Sequence, residues 1–170
     1  MKRLLLLISC ALIVLSSCRK EADRFVGDYS FKTSGEISIT ANVQDEGATL
    51  PIPASLDVDL STEMGQLNIC ISDKKNDEVV VVINHLNGDV VVTNGTCNDK
   101  TIELEEFRRD ILPLSVSSMF TEGYDIMVGG TGKIYDDMII FDITCSGHAT
   151  LESTTFKIKE KDIKMVAYRN

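Results

Sequence analysis

Apolar residues recur at every second position along much of this chain of 170 residues. The alternation is regular in residues 36–43 and 55–60, and residues 79–83 form a continuous β-branched run. Successive side chains of a strand point to opposite faces, so this period predicts strands that bury one face. About nine or ten such segments, joined by turns, predict a single all-β domain. Successive hairpins favour an antiparallel up-and-down barrel, and a two-sheet β-sandwich is the alternative.

The turn signal Asn87-Gly88 sets the expected register of one central hairpin. Asn-Gly is the strongest short hairpin signal, and as a two-residue loop it pairs Ile83 with Val92. His85 then lies opposite Val90, beside the turn and at the rim of the sheet. This register predicts that Val90 and Val92 share one face with Ile83, and that the hairpin is central because both of its faces are fairly apolar.

A second hairpin is predicted around Asp136-Asp137. As a two-residue loop, this turn pairs Ile134 with Ile139 and Gly132 with Phe141. A glycine opposite a phenylalanine leaves space for the aromatic ring to lie across the neighbouring strand.

Two further segments have their own expected structures. In residues 103–112, Leu104, Phe107 and Ile111 are three and four positions apart, which predicts one short helix or turn that ends before Pro113. Near the C-terminus, residues 154–159 and 163–168 are predicted to form a hairpin of two strands.

The first eighteen residues indicate export and lipidation. Lys2 and Arg3 precede a twelve-residue segment at residues 4–15 that is apolar except for Ser9, and it is shorter than the roughly 20 residues that a membrane span needs. The following Leu15-Ser16-Ser17-Cys18 resembles a bacterial lipobox, which implies lipid on Cys18 and a lipid-anchored protein of the bacterial cell envelope. The alternatives are an ordinary signal peptide with an incidental Cys18, or an N-terminal membrane anchor.

This resemblance divides the chain into three parts. Residues 1–17 are the expected signal peptide, residues 18–24 the lipidated tether, and residues 25–170 the single β domain. Asp does not follow Cys18 directly, so an outer-membrane lipoprotein is expected, on the periplasmic face or at the cell surface. The membrane is therefore the expected partner, through the lipid on Cys18.

The charge of the chain argues against nucleic acid as a partner. The net charge is −9, and loss of Lys2 and Arg3 with the leader leaves 15 basic against 26 acidic residues, a net −11. Phosphate backbones attract Lys and Arg, and an acidic protein repels them.

Three cysteines remain if Cys10 leaves with the leader and Cys18 carries lipid. An exported protein enters a compartment that permits disulfides. Cys70 falls on the polar face of its strand and Cys97 lies in a segment of loop composition, so a Cys70–Cys97 disulfide is the favoured pairing. Cys145 follows inward positions at period two and is expected as a buried thiol. Three free thiols are the alternative.

The mature domain resembles the calycin or lipocalin-like barrels of bacterial lipoproteins. The resemblance rests on Gly27-Asp28-Tyr29 in the first strand, soon after Cys18, and on the hairpin segments 130–134 and 138–143. Tyr29 stands where a tryptophan is usual in that family. The resemblance implies a lipocalin-like β-barrel whose first strand begins with the Gly-x-aromatic motif.

Sequence motifs give little support for catalysis. The chain has two histidines, His85 and His148, and neither a Gly-x-Ser-x-Gly elbow nor a His-Glu-x-x-His motif. Cys145 and His148 have the spacing of a Cys–His pair, but a core thiol beside a loop imidazole is the favoured interpretation. We therefore predict no catalytic residue, no metal and no cofactor.

The composition and pattern together favour a binding protein. An eight-stranded barrel can hold one small ligand, so the first hypothesis is a barrel that binds a small apolar or amphipathic ligand. The alternative is a structural or interaction module of the cell envelope that binds a protein or a glycan. An enzyme is the third hypothesis.

Overall fold

The computed structural model describes residues 21–43, 52–60, 63–109, 124–151 and 154–170. The expected signal peptide and Cys18 lie outside these ranges. Within the described ranges, a helical turn at residues 21–23 is followed by nine strands, and no helix is long and apolar enough to cross a membrane. The strands are β1 Gly27–Val43, β2 Ile52–Asp59, β3 Met64–Ile71, β4 Glu78–His85, β5 Val90–Asn98, β6 Thr101–Arg108, β7 Tyr124–Tyr135, β8 Met138–Leu151 and β9 Thr154–Arg169.

The strands form one antiparallel sheet that closes on itself. The order is β2-β1-β3-β4-β5-β6-β7-β8-β9, and β9 also pairs with β1. β2 pairs with residues 36–43 of β1, and β3 pairs with residues 27–32 of β1. The two short strands therefore lie end to end and together occupy one position in an eight-position wall. The predicted all-β, antiparallel up-and-down barrel is confirmed, and its closure satisfies strand edges that would otherwise be exposed.

The C-terminal strand β9 is continuous, so the predicted hairpin of residues 154–159 and 163–168 is wrong. The register of β9 against β1 shifts by one residue opposite Gly35, close to Asp162, whose φ is 51°. This bulge changes which positions face inward: Ile158 and Ile163 are both buried although they are five positions apart, an odd spacing that would place them on opposite faces of a regular strand. The bulge interrupts the alternation of apolar and polar residues, and in the sequence this interruption resembles a turn between two strands.

The β4–β5 hairpin has a different loop from the predicted one. Residues 86–88 form a three-residue loop in which Gly88 has a φ of 97°, and Ile83 pairs with Val91. A shift of one residue exchanges the two faces of a strand. Val90 and Val92 are consequently 61% and 63% exposed, whereas Ile83 is buried, so the prediction that they share a face with Ile83 is wrong.

The β7–β8 hairpin has the predicted register. Ile134 pairs with Ile139 and Gly132 with Phe141, across a turn in which Asp136 has a φ of 34°. The ring of Phe141 lies over Gly132, where an added Cβ would be 2.5 Å from the ring. The glycine therefore leaves the space that the sequence predicted.

The expected helix at residues 103–112 is wrong over the part that the structure describes, because residues 101–108 form β6. The register against β7 shifts between Leu104 and Phe107, so a bulge adds one residue there. Leu104 and Phe107 both pack into the interior, three positions apart. The bulge produced the spacing that resembled a helix.

The N-terminal turn closes one end of the barrel, which we call the N-terminal end. Ala22 and Phe25 are fully buried there, although the sequence placed Ala22 in the tether. The Tyr29 hydroxyl donates a 2.8 Å hydrogen bond to the Phe25 carbonyl, and the Arg169 guanidinium lies 5.0 Å from the centre of the Tyr29 ring. The Gly27-Asp28-Tyr29 motif thus joins the first strand, the last strand and the turn.

Candidate functional site

A cavity of about 50 Å³ lies inside the barrel, between the two groups of buried side chains that form the core. A space of this size holds a few water molecules. Its lining is largely apolar, with Glu63, His85 and Arg109 as the ionisable groups. The apolar lining includes Ile83, Leu104, Phe107, Val128, Ile143 and Met165.

Glu63, His85 and Arg109, which we call the polar trio, meet at this cavity. The Oε2 atom of Glu63 lies 3.2 Å from Nδ1 of His85 and 3.2 Å from an Nη atom of Arg109. The three side chains are 24%, 5% and 12% exposed, in the same order. A carboxylate therefore bridges an imidazole and a guanidinium at a site largely shielded from water.

Irregularities of the strands place the polar trio. Glu63 lies between β2 and β3, where the backbone N–H of Thr33 donates a 2.8 Å hydrogen bond to the Glu63 carbonyl. His85 is the last residue of β4 and packs edge-on against Phe31, with 5.3 Å between the ring centres. Arg109 follows β6, and the bulge before Phe107 turns Arg109 to the inside.

The pKa of Glu63 reflects its two neighbours. Contact with His85 is the largest influence and lowers the pKa of Glu63 below its usual value. Burial of the carboxyl group opposes this shift, and the positive charge of Arg109 adds to it. Glu63 is therefore held as a carboxylate, which can only accept hydrogen bonds.

Several polar atoms of the trio lack hydrogen-bond partners among the described residues. Both ring nitrogens of His85 and the Nε atom of Arg109 are buried and form no hydrogen bond with any residue that the structure describes. Nδ1 of His85 is close to Glu63, but the contact is poorly directed for a hydrogen bond. Buried polar groups of proteins are nearly always paired, so the unpaired Nε2 of His85 and Nε of Arg109 mark a place where a bound polar group could contact them.

The described ranges contain no group of three His, Cys, Asp or Glu side chains that could hold a metal ion. Cys145 is buried inside the barrel, as predicted, whereas His148 is exposed on β8. The two residues lie on opposite faces of the strand, so they do not form a Cys–His pair.

The predicted Cys70–Cys97 disulfide is wrong, because both thiols are free. Cys70 is exposed on β3, whereas Cys97 is buried and lies within β5 rather than in a loop. The wall of the barrel separates the two side chains. Burial raises the pKa of Cys97 and of Cys145 to about 12, and nearby carboxylates act in the same direction.

The sequence pattern predicts His85 at a rim and gives no indication of Glu63 or Arg109. His85 does lie at the end of its strand, but its side chain is buried at the cavity. Glu63 and Arg109 carry no motif, and their positions depend on a strand interruption and a bulge. Arg109 lies two positions after Phe107 and therefore on the same face of the chain. Only knowledge of the bulge shows that this face points inward.

No protein-family model matches this chain, and no curated protein matches it. Among solved structures, EF1p2_mFAP2b bound to DFHBI is similar at 9% sequence identity and a TM-score of 0.38. The alignment covers 90% of this chain and 99% of that chain.

Proposed function

We propose that this protein is an exported, lipid-anchored β-barrel that binds a small apolar or amphipathic ligand and acts by binding rather than by catalysis. The observation that carries the proposal is the interior cavity, which combines an apolar lining with unpaired polar atoms of His85 and Arg109. Ligand sites typically join an apolar lining to a few placed polar groups. The lipobox-like residues before Cys18 support the anchor.

The volume of the cavity limits what can enter it. Sites for drug-sized ligands typically enclose about 300–1,000 Å³, whereas this cavity measures about 50 Å³. The ligand is therefore either a molecule of a few heavy atoms or a longer molecule that inserts one end.

Titration with small probes tests the proposal. Four-carbon probes are added to the full-length protein, and NMR spectra follow the methyl groups of Ile83, Leu104 and Met165, which line the cavity. We expect saturable shifts at these methyls. Absence of shifts with every probe would contradict the ligand-binding proposal.

A pair of matched variants locates the binding. Val128 is 4% exposed and lines the cavity, whereas Val92 is 63% exposed on the outer face. Val128→Phe fills the cavity and should abolish the shifts, and Val92→Phe should leave them unchanged. Leu104→Phe serves as a second filling variant if Val128→Phe does not fold.

One observation favours the alternative of an interaction module. The β4–β5 hairpin exposes Leu86, Val90 and Val92 at 72%, 61% and 63%. Clustered apolar groups on a surface mark sites that contact proteins or other molecules. Binding of a protein or glycan that survives Val128→Phe and is lost in Val92→Glu would assign the function to this hairpin.

A further inference from the structure

The chemistry of the ligand follows from the polar atoms that the cavity leaves unpaired. Nε2 of His85 and Nε of Arg109 are both buried without a hydrogen-bond partner among the described residues. The His85 side chain is 95% buried, and it lines the cavity. Leaving such groups unpaired is costly, so the cavity is built for a partner that pairs with both.

The contact with Glu63 decides which nitrogen of His85 carries hydrogen. Nδ1 faces the Glu63 carboxylate at 3.2 Å, and a carboxylate has no hydrogen to give. In the neutral form of the ring, the adjacent carboxylate charge favours the tautomer with hydrogen on Nδ1, which leaves a lone pair at Nε2. The Nε atom of Arg109 always carries a hydrogen and only donates. The cavity thus offers one acceptor and one donor.

We propose that the cavity binds the hydroxyl end of a neutral amphipathic molecule, an inference that rests on the ligand-binding function proposed above. The hydroxyl oxygen accepts a hydrogen bond from Nε of Arg109, and its hydrogen is donated to Nε2 of His85. A hydroxyl is the smallest group that both donates and accepts. The carbon chain lies against the apolar lining formed by Ile83, Leu104 and Met165.

Charged head groups fit the polar trio poorly. A carboxylate would face the Glu63 carboxylate and the lone pair on Nε2 of His85. An ammonium group would face the positive Arg109 guanidinium. The negative charge of Glu63 already neutralises that guanidinium and leaves no net negative charge to attract a second cation. Like charges at such short range are repulsive, and a site with little water screens them weakly. An ether accepts from Arg109 but leaves Nε2 of His85 unpaired.

Four probes of similar size distinguish these cases. Butan-1-ol, methyl propyl ether, butyrate and butylammonium are titrated separately into the full-length protein at pH 7.5, with the lining methyls as the readout. We expect butan-1-ol to bind about tenfold more tightly than each of the others, because only the hydroxyl pairs both buried groups. Equal or tighter binding of the ether or either ion would overturn the hydroxyl assignment while preserving the ligand site. No binding by any probe would overturn both.

Two histidine variants test the role assigned to His85. His85→Phe keeps an aromatic ring beside Phe31 but removes the acceptor, so the preference for butan-1-ol over the ether should fall from about tenfold to none. His148→Phe alters an exposed histidine of β8 and should keep the preference. Retention of the preference in His85→Phe would contradict the proposal.

A measurement on the wild-type protein keeps the test independent of variants. Long-range ¹H–¹⁵N spectra report which nitrogen of His85 carries hydrogen. We expect hydrogen on Nδ1 in the free protein and a shift of the Nε2 resonance when butan-1-ol is added. Hydrogen on Nε2 alone would contradict the assignment of the acceptor.

Discussion

Glu63 links the polar trio, since one of its oxygens contacts both His85 and Arg109. Its folded-state pKa is lowered, so ionised Glu63 stabilises the fold above its unfolded pKa near 4.5, and this stabilisation is lost as the pH falls through the folded pKa. Glu63→Gln should therefore lower the free energy of unfolding at pH 7 by about 1–2 kcal/mol, and by less at pH 3. Urea denaturation at the two pH values measures both differences.

Glu103→Gln is the matched control for this prediction, because Glu103 is exposed on β6. It should change the free energy of unfolding by less than about 0.5 kcal/mol at either pH. A Glu63→Gln effect that is equal at pH 3 and pH 7 would show that the carboxylate charge does not stabilise the site.

The cysteines differ in reactivity because of burial. Burial raises the pKa of Cys97 and Cys145 to about 12, so very little of either thiol is present as the reactive thiolate near neutral pH. Cys70 is exposed, and its thiol donates to Asn68. We expect iodoacetamide at pH 8 to label Cys70 first among these three in the folded protein, as measured by peptide mass spectrometry. Labelling of Cys97 at the rate of Cys70 would contradict the buried position.

At the scale of strands, Gly132 and Phe141 are paired across β7 and β8, and the ring fills the space beside the glycine. A Cβ on Gly132 would lie 2.5 Å from the Phe141 ring and 2.8 Å from Ile102. Gly132→Ala should therefore lower the free energy of unfolding by about 1–3 kcal/mol, the usual cost of overpacking a core. Thermal and urea unfolding measure this change.

Gly129 gives a control within the same strand. A Cβ there would meet the Glu106 side chain at 3.1 Å and the Thr144 hydroxyl at 3.4 Å, and Glu106 is exposed and flexible enough to move. Gly129→Ala should stay within about 1 kcal/mol of the wild type. Equal losses in both variants would show that crowding of the Phe141 ring does not cause the loss in Gly132→Ala.

The sequence predicts a strand well where the alternation is unbroken and poorly where a bulge occurs. The predicted β7–β8 register is confirmed, and it places Gly132 and Phe141, which are complementary in size, opposite each other. The β9 and β6 predictions failed because each strand contains one extra residue, near Asp162 and before Phe107. A bulge changes the period locally, and short-range patterns cannot distinguish that change from a turn or a helix.

For the whole molecule, the barrel could be predicted but its candidate site could not. Glu63, His85 and Arg109 come from three separate parts of the chain. The pairing of β3 with β4, in which Gly65 lies opposite His85, brings Glu63 and His85 together, and Arg109 joins them at the cavity after the bulge in β6. Each charged residue taken alone resembles an ordinary surface residue.

The two ends of the barrel have different expected surroundings. Ala22 and Phe25 fix the chain at the N-terminal end, and Cys18 precedes the described Glu21 by only three residues. Three residues span at most about 11 Å. If Cys18 carries lipid, the N-terminal end lies close to the bilayer, and the β4–β5 loop lies at the opposite end, away from it.

Depth-dependent fluorescence quenching tests this orientation. A fluorophore is attached at Asp136→Cys, in the β7–β8 turn beside Arg24, or at Asn87→Cys, in the β4–β5 loop, each in a Cys70→Ser background. The lipidated protein is placed in vesicles that contain head-group spin-labelled lipid. Quenching should be stronger at position 136 than at 87, because the tether keeps the N-terminal end near the head groups.

Cys18→Ser should abolish both the quenching and co-flotation with vesicles. Stronger quenching at position 87 would place the end of the barrel with the β4–β5 loop against the membrane. Membrane binding that persists in Cys18→Ser would exclude Cys18 as the anchor.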